Sequence, residues 1–371
     1  MALGFLAGIR VLDLSQYLPG PYAALMLADL GADVVKVEPP SGDPGRTLRP
    51  LDDDGVSPVW KLVNAGKTVV TLDLKRSDEA AQLRVLLAAA DVLIESYRPG
   101  VLDRLGFGRD HLAALNPGLV HAALSGYGQT GPWRLRTGHD LNYMAVGGGL
   151  ASSGPAAMPG FAFPPTADYA SGVQTALAVA GALFGRTRSG RGAFLDLSLM
   201  ETPLAWQAPL LTWASRGASS ARAGLMLNGG AAYYQVYRAG DGRFVTLAAI
   251  EPKFWRNFCE AVERADWIAR QNDEMPQSGL IADVARLFAT RTAPAWEALL
   301  GMVDCCFAVV ADPVEVPDHP QVAARGLVSR PDAATVAVGF PALVDGAAPV
   351  PRPAVRAADV SEVIRRWTSR A

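Results

Sequence analysis

Short, mostly apolar runs alternate with amphipathic stretches along the first half of the chain. Ile9 to Leu14 (IRVLDL) is a continuous run of the kind that forms a buried strand. A Pro-Gly-Pro turn at Pro19 to Pro21 follows, then helical periodicity from Tyr22 to Leu30. Gly31 sits where a helix-ending glycine belongs, and Val34 to Val37 resumes as strand. The pattern predicts a βαβ unit, and it repeats. Thr68 to Leu72, Asp91 to Glu95 and Leu119 to Ala123 read as strands, with Ser77 to Ala90 as a long helix. Ser171 to Phe184 reads as a small-residue helix, and a turn at Ser189 to Gly192 leads to the strand Phe194 to Leu197. Such alternation predicts a mostly parallel sheet covered on both faces.

The character changes after Ser215. Ala218 to Arg222 is small and polar, as in a linker. Beyond Ala231, strand patterning on both sides of Gly240-Asp241-Gly242 predicts a hairpin. Helical stretches are expected at Phe254 to Ala265 and Ile281 to Leu300. Phe340 to Pro353 is rich in proline and must run extended, before a final helix at Val360 to Trp367. The expected fold is α/β: a Rossmann-like parallel-sheet domain over 1–215, a smaller α+β domain over 216–320, and a segment 321–371 returning to the first domain. No G-x-G-x-x-G follows the first strand, which removes the main support for NAD or FAD.

Composition narrows the function further. A chain of 371 residues, 50% hydrophobic and 19% charged, has the profile of a two-domain globular enzyme. A net charge of −2 gives no sign of a nucleic-acid partner. The three cysteines include the adjacent pair Cys305-Cys306, so a disulfide framework is not expected, and no Cys/His cluster suggests a metal. The N-terminal MALGFLAGIRVLDLS lacks a basic leader, and the apolar run Ala176 to Phe184 is too short to span a bilayer. A cytoplasmic protein without membrane association is expected.

Candidate chemistry concentrates between Thr137 and Gly172. His139 and Asp140 open this stretch, Gly147 to Gly149 form a triplet that could approach a ligand, and Asp168 follows a Pro pair. Of the other histidines, His121 reads as a satisfied core residue, and His111 and His319 as surface. Asp168 could cap a helix, yet a helix start also offers free N–H donors that would stabilise an anion beside the carboxylate. Asp140 could hold the His139 ring or cap a helix. Glu251 follows the strand VTLAAI and stands before Pro252, as first-turn residues do. Lys36, Arg46, Arg49, Lys67, Lys75, Arg76, Arg98 and Arg104 are scattered over the loops of the first domain, a weak signal for phosphate.

Four segments together carry a resemblance: Gly8 to Pro44 (GIRVLDLSQYLPGPYAALMLADLGADVVKVEPPSGDP), TVVTLDLK, DVLIESYRPGVLDRLGFG and SGYGQTGP. They resemble the class III CoA-transferase superfamily, the CaiB/BaiF-like fold, over nearly the whole chain. TGHDLNY and LNGGAAYYQVYRAGDGRFVTLAAIEPKFW are most similar to its α-methylacyl-CoA racemase branch. That resemblance implies an isomerase acting on 2-methylacyl-CoA thioesters, with His139 and Asp168 as its two bases and Glu251 in the same site. It implies coenzyme A held by Leu72, Asp73, Leu74 and Lys75, by Ser96, Tyr97 and Arg98, and by Arg104. The acyl part would lie along Gly138, Asp140, Leu141, Asn142 and Tyr143 and along Ala167, Tyr169 and Gly172. It implies an interlocked homodimer and no cofactor beyond the coenzyme A of the substrate.

Two features lean toward the transferases instead. The segment Ala167 to Gly172 (ADYASG) lacks the racemase glycine run, and VEPP at Val37 to Pro40 is transferase-like. In a transferase Asp168 would attack the thioester carbonyl and carry the acyl group as a mixed anhydride. In a racemase one group removes the weakly acidic α-proton and another returns it on the opposite face, through an enolate. Burial would raise Asp168 for that task, and a carboxylate such as Glu251 would raise His139. Met144, Met158, Phe161 and Phe163 could line an acyl pocket or belong to an ordinary core, so the acyl group stays open.

Overall fold

The computed structural model describes residues 3–217, 221–330 and 335–369. The expected linker at Ala218 to Arg222 lies mostly outside them. The chain divides into two compact units, Met1–Gly147 with Phe163–Ala205 and Pro317–Ala371, and Gly148–Ala162 with Trp206–Val316.

In the first unit the apolar runs become β1 (Arg10–Leu14), β2 (Asp33–Glu38), β3 (Thr68–Thr71), β4 (Val92–Glu95), β5 (Val120–Ser125) and β6 (Ala193–Ser198). With Arg356–Ala357 they form a seven-stranded sheet in the order Arg356–Ala357, β3, β2, β1, β4, β5, β6. Every pairing is parallel. Side chains alternate between the two faces, and both are covered, which is why the strands read as largely apolar text, broken by Asp13 in β1 and Lys36 in β2. Leu12, Leu14, Val35 and Val37 pack with Leu83, Leu86 and Trp367 on one face. Val11 and Val34 pack with Ala24, Leu27 and Val179 on the other. Strand order reverses between β1 and β4, and such a reversal opens a crevice at the carboxyl ends of the strands.

The first helix spans Pro19–Asp29 and so begins earlier than the periodicity predicts. Proline reads as a turn, but the first helical turn does not use the N–H that proline lacks. The proline-rich tail lies against the first unit. Pro353 accepts a hydrogen bond from the Gly66 N–H at 2.8 Å, and Arg352 pairs with Asp29 at 2.6 Å. Arg356–Ala357 then pairs with β3, and the final helix, Val360–Thr368, buries Val363 and Trp367.

The second unit holds an antiparallel sheet of β7 (Tyr234–Arg238), β8 (Phe244–Ala248) and β9 (Phe307–Val309). Its core is aromatic, with Trp255, Phe258, Trp267, Phe288 and Trp296 all buried. The expected single helix over Ile281 to Leu300 is two, Ser278–Phe288 and Ala293–Leu300, because the Thr292 side chain caps the second. Gly148–Ala162, which the sequence reading assigns to the first domain, belongs here. Asn228 donates to the Ser152 carbonyl and Arg222 to the Ala156 carbonyl, which ties this excursion down. Among the described residues no helix is long and apolar enough to cross a membrane.

Candidate active site

The site is built around the start of the long helix Thr166–Ser189. A helix leaves its first N–H groups without intrahelical acceptors, and here the N-cap position is Pro165, which has no side chain to offer. Asp140 fills the gap from another helix. Its Oδ1 accepts from the Ala167 N–H at 2.6 Å and the Asp168 N–H at 3.1 Å. Asp168 therefore does not cap this helix but lies in its first turn. The donors that sequence reasoning reserves for an anionic intermediate are likewise already engaged by Asp140.

Asp140 itself opens the helix Asp140–Val146, with His139 as N-cap in extended backbone conformation. The Asn142 side chain accepts from the His139 N–H at 3.1 Å. The His139 ring is exposed and stands edge-on to Tyr17 at 6.2 Å between centroids. Tyr17 has φ +62°, a left-handed conformation costly for an aromatic residue, and its N–H donates to the buried Asp43. The N–H groups of Asp140 and Leu141 begin their helix with no partner among the described residues.

Burial, reinforced by the neighbouring Asp140 carboxylate, pushes the Asp168 carboxyl up to about 7. Tyr143 donates its hydroxyl to the Gly138 carbonyl at 2.5 Å. Burial first and the charge of Asp168 second push its phenol up to about 12, with Arg98 opposing. Gly172 is required by close approach, since a Cβ there would stand 2.8 Å from the Pro19 carbonyl oxygen. Tyr169 packs edge-on to Tyr22 at 4.6 Å. In the glycine triplet, Gly147 has the same role as Gly172: its Cβ would stand 2.9 Å from the Met200 carbonyl oxygen.

The coenzyme candidates lie just past the carboxyl ends of β3 and β4. Leu72 is buried, and Asp73 is held by Glu79 through its N–H and by Lys75 through the Lys75 N–H. The Ser96 hydroxyl accepts from the Gln16 N–H at 2.9 Å, which ties the ends of β4 and β1 together at the reversal point. Burial above all, with Glu95, lifts the Tyr97 phenol to about 12. Lys75, Arg98 and Arg104 are exposed, and their side chains have no ion-pair partner among the described residues.

Of the other basic candidates Arg49 is exposed, and Lys36, Lys67, Arg46 and Arg76 are engaged elsewhere. Lys36 and Lys67 are fully buried and pair with Asp43 at 2.9 Å and Asp13 at 3.0 Å. Burial pulls Lys67 down to about 8 against the pull of Asp13. Burial also raises Asp13, but Lys67, Lys36 and the Ser15 hydroxyl outweigh it and hold the group below the usual carboxylate range. Arg46 binds Glu38 and stacks on Trp60, and Arg76 pairs with Asp78. Sequence reasoning missed this ionic core.

Glu251 lies in the second unit, exposed, as the N-cap of the helix Pro252–Ala261. Met158, Phe161 and Phe163 are not core residues, being 67%, 77% and 93% exposed, while Met144 packs beside Tyr143. His111 and His319 are exposed. His121 is buried, but it is not satisfied: neither ring nitrogen has a hydrogen-bond partner among the described residues.

Comparison with known proteins supplies a family. The model of CoA-transferase family III matches residues 6–355. The chain is 35% identical to human alpha-methylacyl-CoA racemase over 86% of its own length and 81% of the relative's. It is 32% identical to acetyl-CoA:oxalate CoA-transferase from Acetobacter aceti, over 87% and 85%. A crystal structure of a CAIB/BAIF family protein from Brucella suis superposes with a TM-score of 0.82 at 26% identity, covering 98% of each chain.

Proposed function

The chain belongs to CoA-transferase family III, and on that premise we propose that it racemises or epimerises 2-methylacyl-CoA thioesters by α-proton transfer. One observation carries the reading. A carboxyl held near 7 is part acid and part base at neutral pH, as proton removal and return require. A nucleophilic carboxylate would work better fully ionised. His139 takes the proton from one face and Asp168 returns one to the other, and the roles reverse for the opposite enantiomer. The unpartnered N–H groups of Asp140 and Leu141 are suited to the enolate oxygen that forms between the two transfers. Glu251 belongs to the same site and supports His139.

Lys75, Arg98 and Arg104 meet the phosphates of coenzyme A, with Leu72 to Leu74, Ser96 and Tyr97 forming the rest of its seat. The acyl chain runs along Gly138 to Tyr143 and Ala167 to Gly172. The chemistry draws on no group beyond coenzyme A. The working protein is an interlocked homodimer in the cytoplasm, a setting that suits its free thiols at Cys259, Cys305 and Cys306. The transferase-like text at Ala167 to Gly172 favours a second reading. There CoA moves between carboxylic acids through an acyl anhydride on Asp168.

Deuterium exchange separates the two. With a 2-methylacyl-CoA in D₂O and no acceptor acid, a racemase incorporates deuterium at the α-carbon and erases stereochemical purity, as proton NMR would follow. His139→Ala should abolish exchange from one face. No exchange with any of several acyl chains, together with acyl transfer once a carboxylic acid is added, would make Asp168 a nucleophile.

A further inference from the structure

Beneath the loops that precede β5 and β6 lies a cavity of about 260 Å³. It opens at the amino ends of these strands, whereas the coenzyme candidates follow the carboxyl ends of β3 and β4. Its walls include Arg109, Arg191, Asn116, Phe194 and His121. Gly192 shapes it by close approach, because a Cβ there would overlap the Leu119 carbonyl.

Asn116 is engaged by the Leu87 and Ala90 carbonyls and the Gly118 N–H, but the other polar side chains of the wall are uncompensated. The Arg109 and Arg191 side chains are exposed at the cavity mouth, and neither guanidinium has an acidic partner among the described residues. Arg109 is held over the Phe194 ring at 4.6 Å, and Phe194 stands edge-on to His121 at 5.0 Å. His121 is 7% exposed with both ring nitrogens unpaired, and Glu95 Oε1 lies 3.9 Å from its Nε2 on the inner side. Buried polar groups are ordinarily hydrogen-bonded, so an unpaired imidazole lining a cavity with two guanidiniums lacks an acceptor. Guanidinium matches tetrahedral oxyanions in both charge and geometry.

We propose that this cavity is a second ligand site that binds a small phosphate-class oxyanion between Arg109, Arg191 and His121. The His121 ring offers an N–H to the oxyanion, since neither of its nitrogens is otherwise engaged among the described residues. The site is independent of the acyl-CoA reaction and uses none of its residues.

The probe is inorganic phosphate, titrated calorimetrically against chloride at matched ionic strength. Saturable binding at one site per chain is expected, and Arg109→Gln with Arg191→Gln should weaken it at least tenfold. His121→Phe, which keeps the ring and removes its nitrogens, should weaken it several-fold with no loss of folded signal by circular dichroism. Arg98→Gln should leave it unchanged. Absence of saturable binding, or equal affinity in the double arginine variant, would overturn the assignment. Loss of binding in Arg98→Gln would also overturn it, because the phosphate would then be occupying the coenzyme seat. Equal affinity in His121→Phe would remove the histidine from the site and with it the proposal as stated.

Discussion

Asp168 keeps its proton to about pH 7 because ionisation there means placing a charge in a buried site beside Asp140. In the unfolded chain the same carboxyl ionises near its ordinary value of 3.8. Between these values the folded protein binds more protons than the unfolded one, so stability falls as pH rises through that window. Below about pH 4 both states are protonated and the penalty vanishes. Above about pH 7 it is fully developed. Asp168→Asn removes it while preserving shape, so the variant should be more stable than the parent at pH 8, by roughly 1–3 kcal/mol once partial solvent exposure is discounted. That advantage should shrink to nothing by about pH 4 in urea unfolding curves. A pH-independent gain would mean that packing, not ionisation, sets the difference. The variant should also lose α-proton exchange, a trade of stability for activity typical of catalytic groups.

At the scale of elements, the long helix depends on a cap from a different helix. Asp140→Ala should cost about 0.5–2 kcal/mol, the usual loss for a missing N-cap, while Asp140→Asn keeps an oxygen acceptor and should recover most of it. Equal destabilisation by both, measured by thermal unfolding, would show that charge rather than the hydrogen bonds to Ala167 and Asp168 carries the effect. The strands of the sheet were legible because double-sided burial favours mostly apolar text, and β1 to β6 follow the predicted runs closely. Helix ends were less so, since Pro19 is equally at home in a turn or a first helical turn. His139, Asp140 and Asp168 could be named from residue type and local context. A capping role for Asp140 could be read too, but not which helix it caps, because the contact spans 27 residues and depends on how two helices pack. Lys36 and Lys67 misled for a related reason. A charged residue beside an apolar strand reads as solvated, and only the folded chain brings Asp13 and Asp43 to meet them.

At the scale of the whole molecule, each unit leaves large apolar side chains in water. Along the helix Thr166–Ser189, Val173, Leu177 and Phe184 are exposed on the helix that carries Asp168. In the second unit the helix Ala208–Ser215 buries none of its residues, although it contains Leu211 and Trp213. A helix that is apolar all round is normally enclosed on every side. Exposed patches beyond a few hundred Å² mark surfaces that another chain covers, and a stable partner interface needs at least about 1,000 Å². The chain also passes from the first unit to the second and back twice, at 147/148, 162/163, 205/206 and 316/317. Light scattering after size exclusion should therefore give twice the chain mass, and interlocking predicts that dilution into the nanomolar range does not halve it. Leu177→Glu places a charge on the exposed helix face and should lower either the dimer fraction or the yield of folded protein. A wild-type protein that runs as a monomer and still exchanges α-protons at full rate would show that these apolar faces serve something other than a second copy.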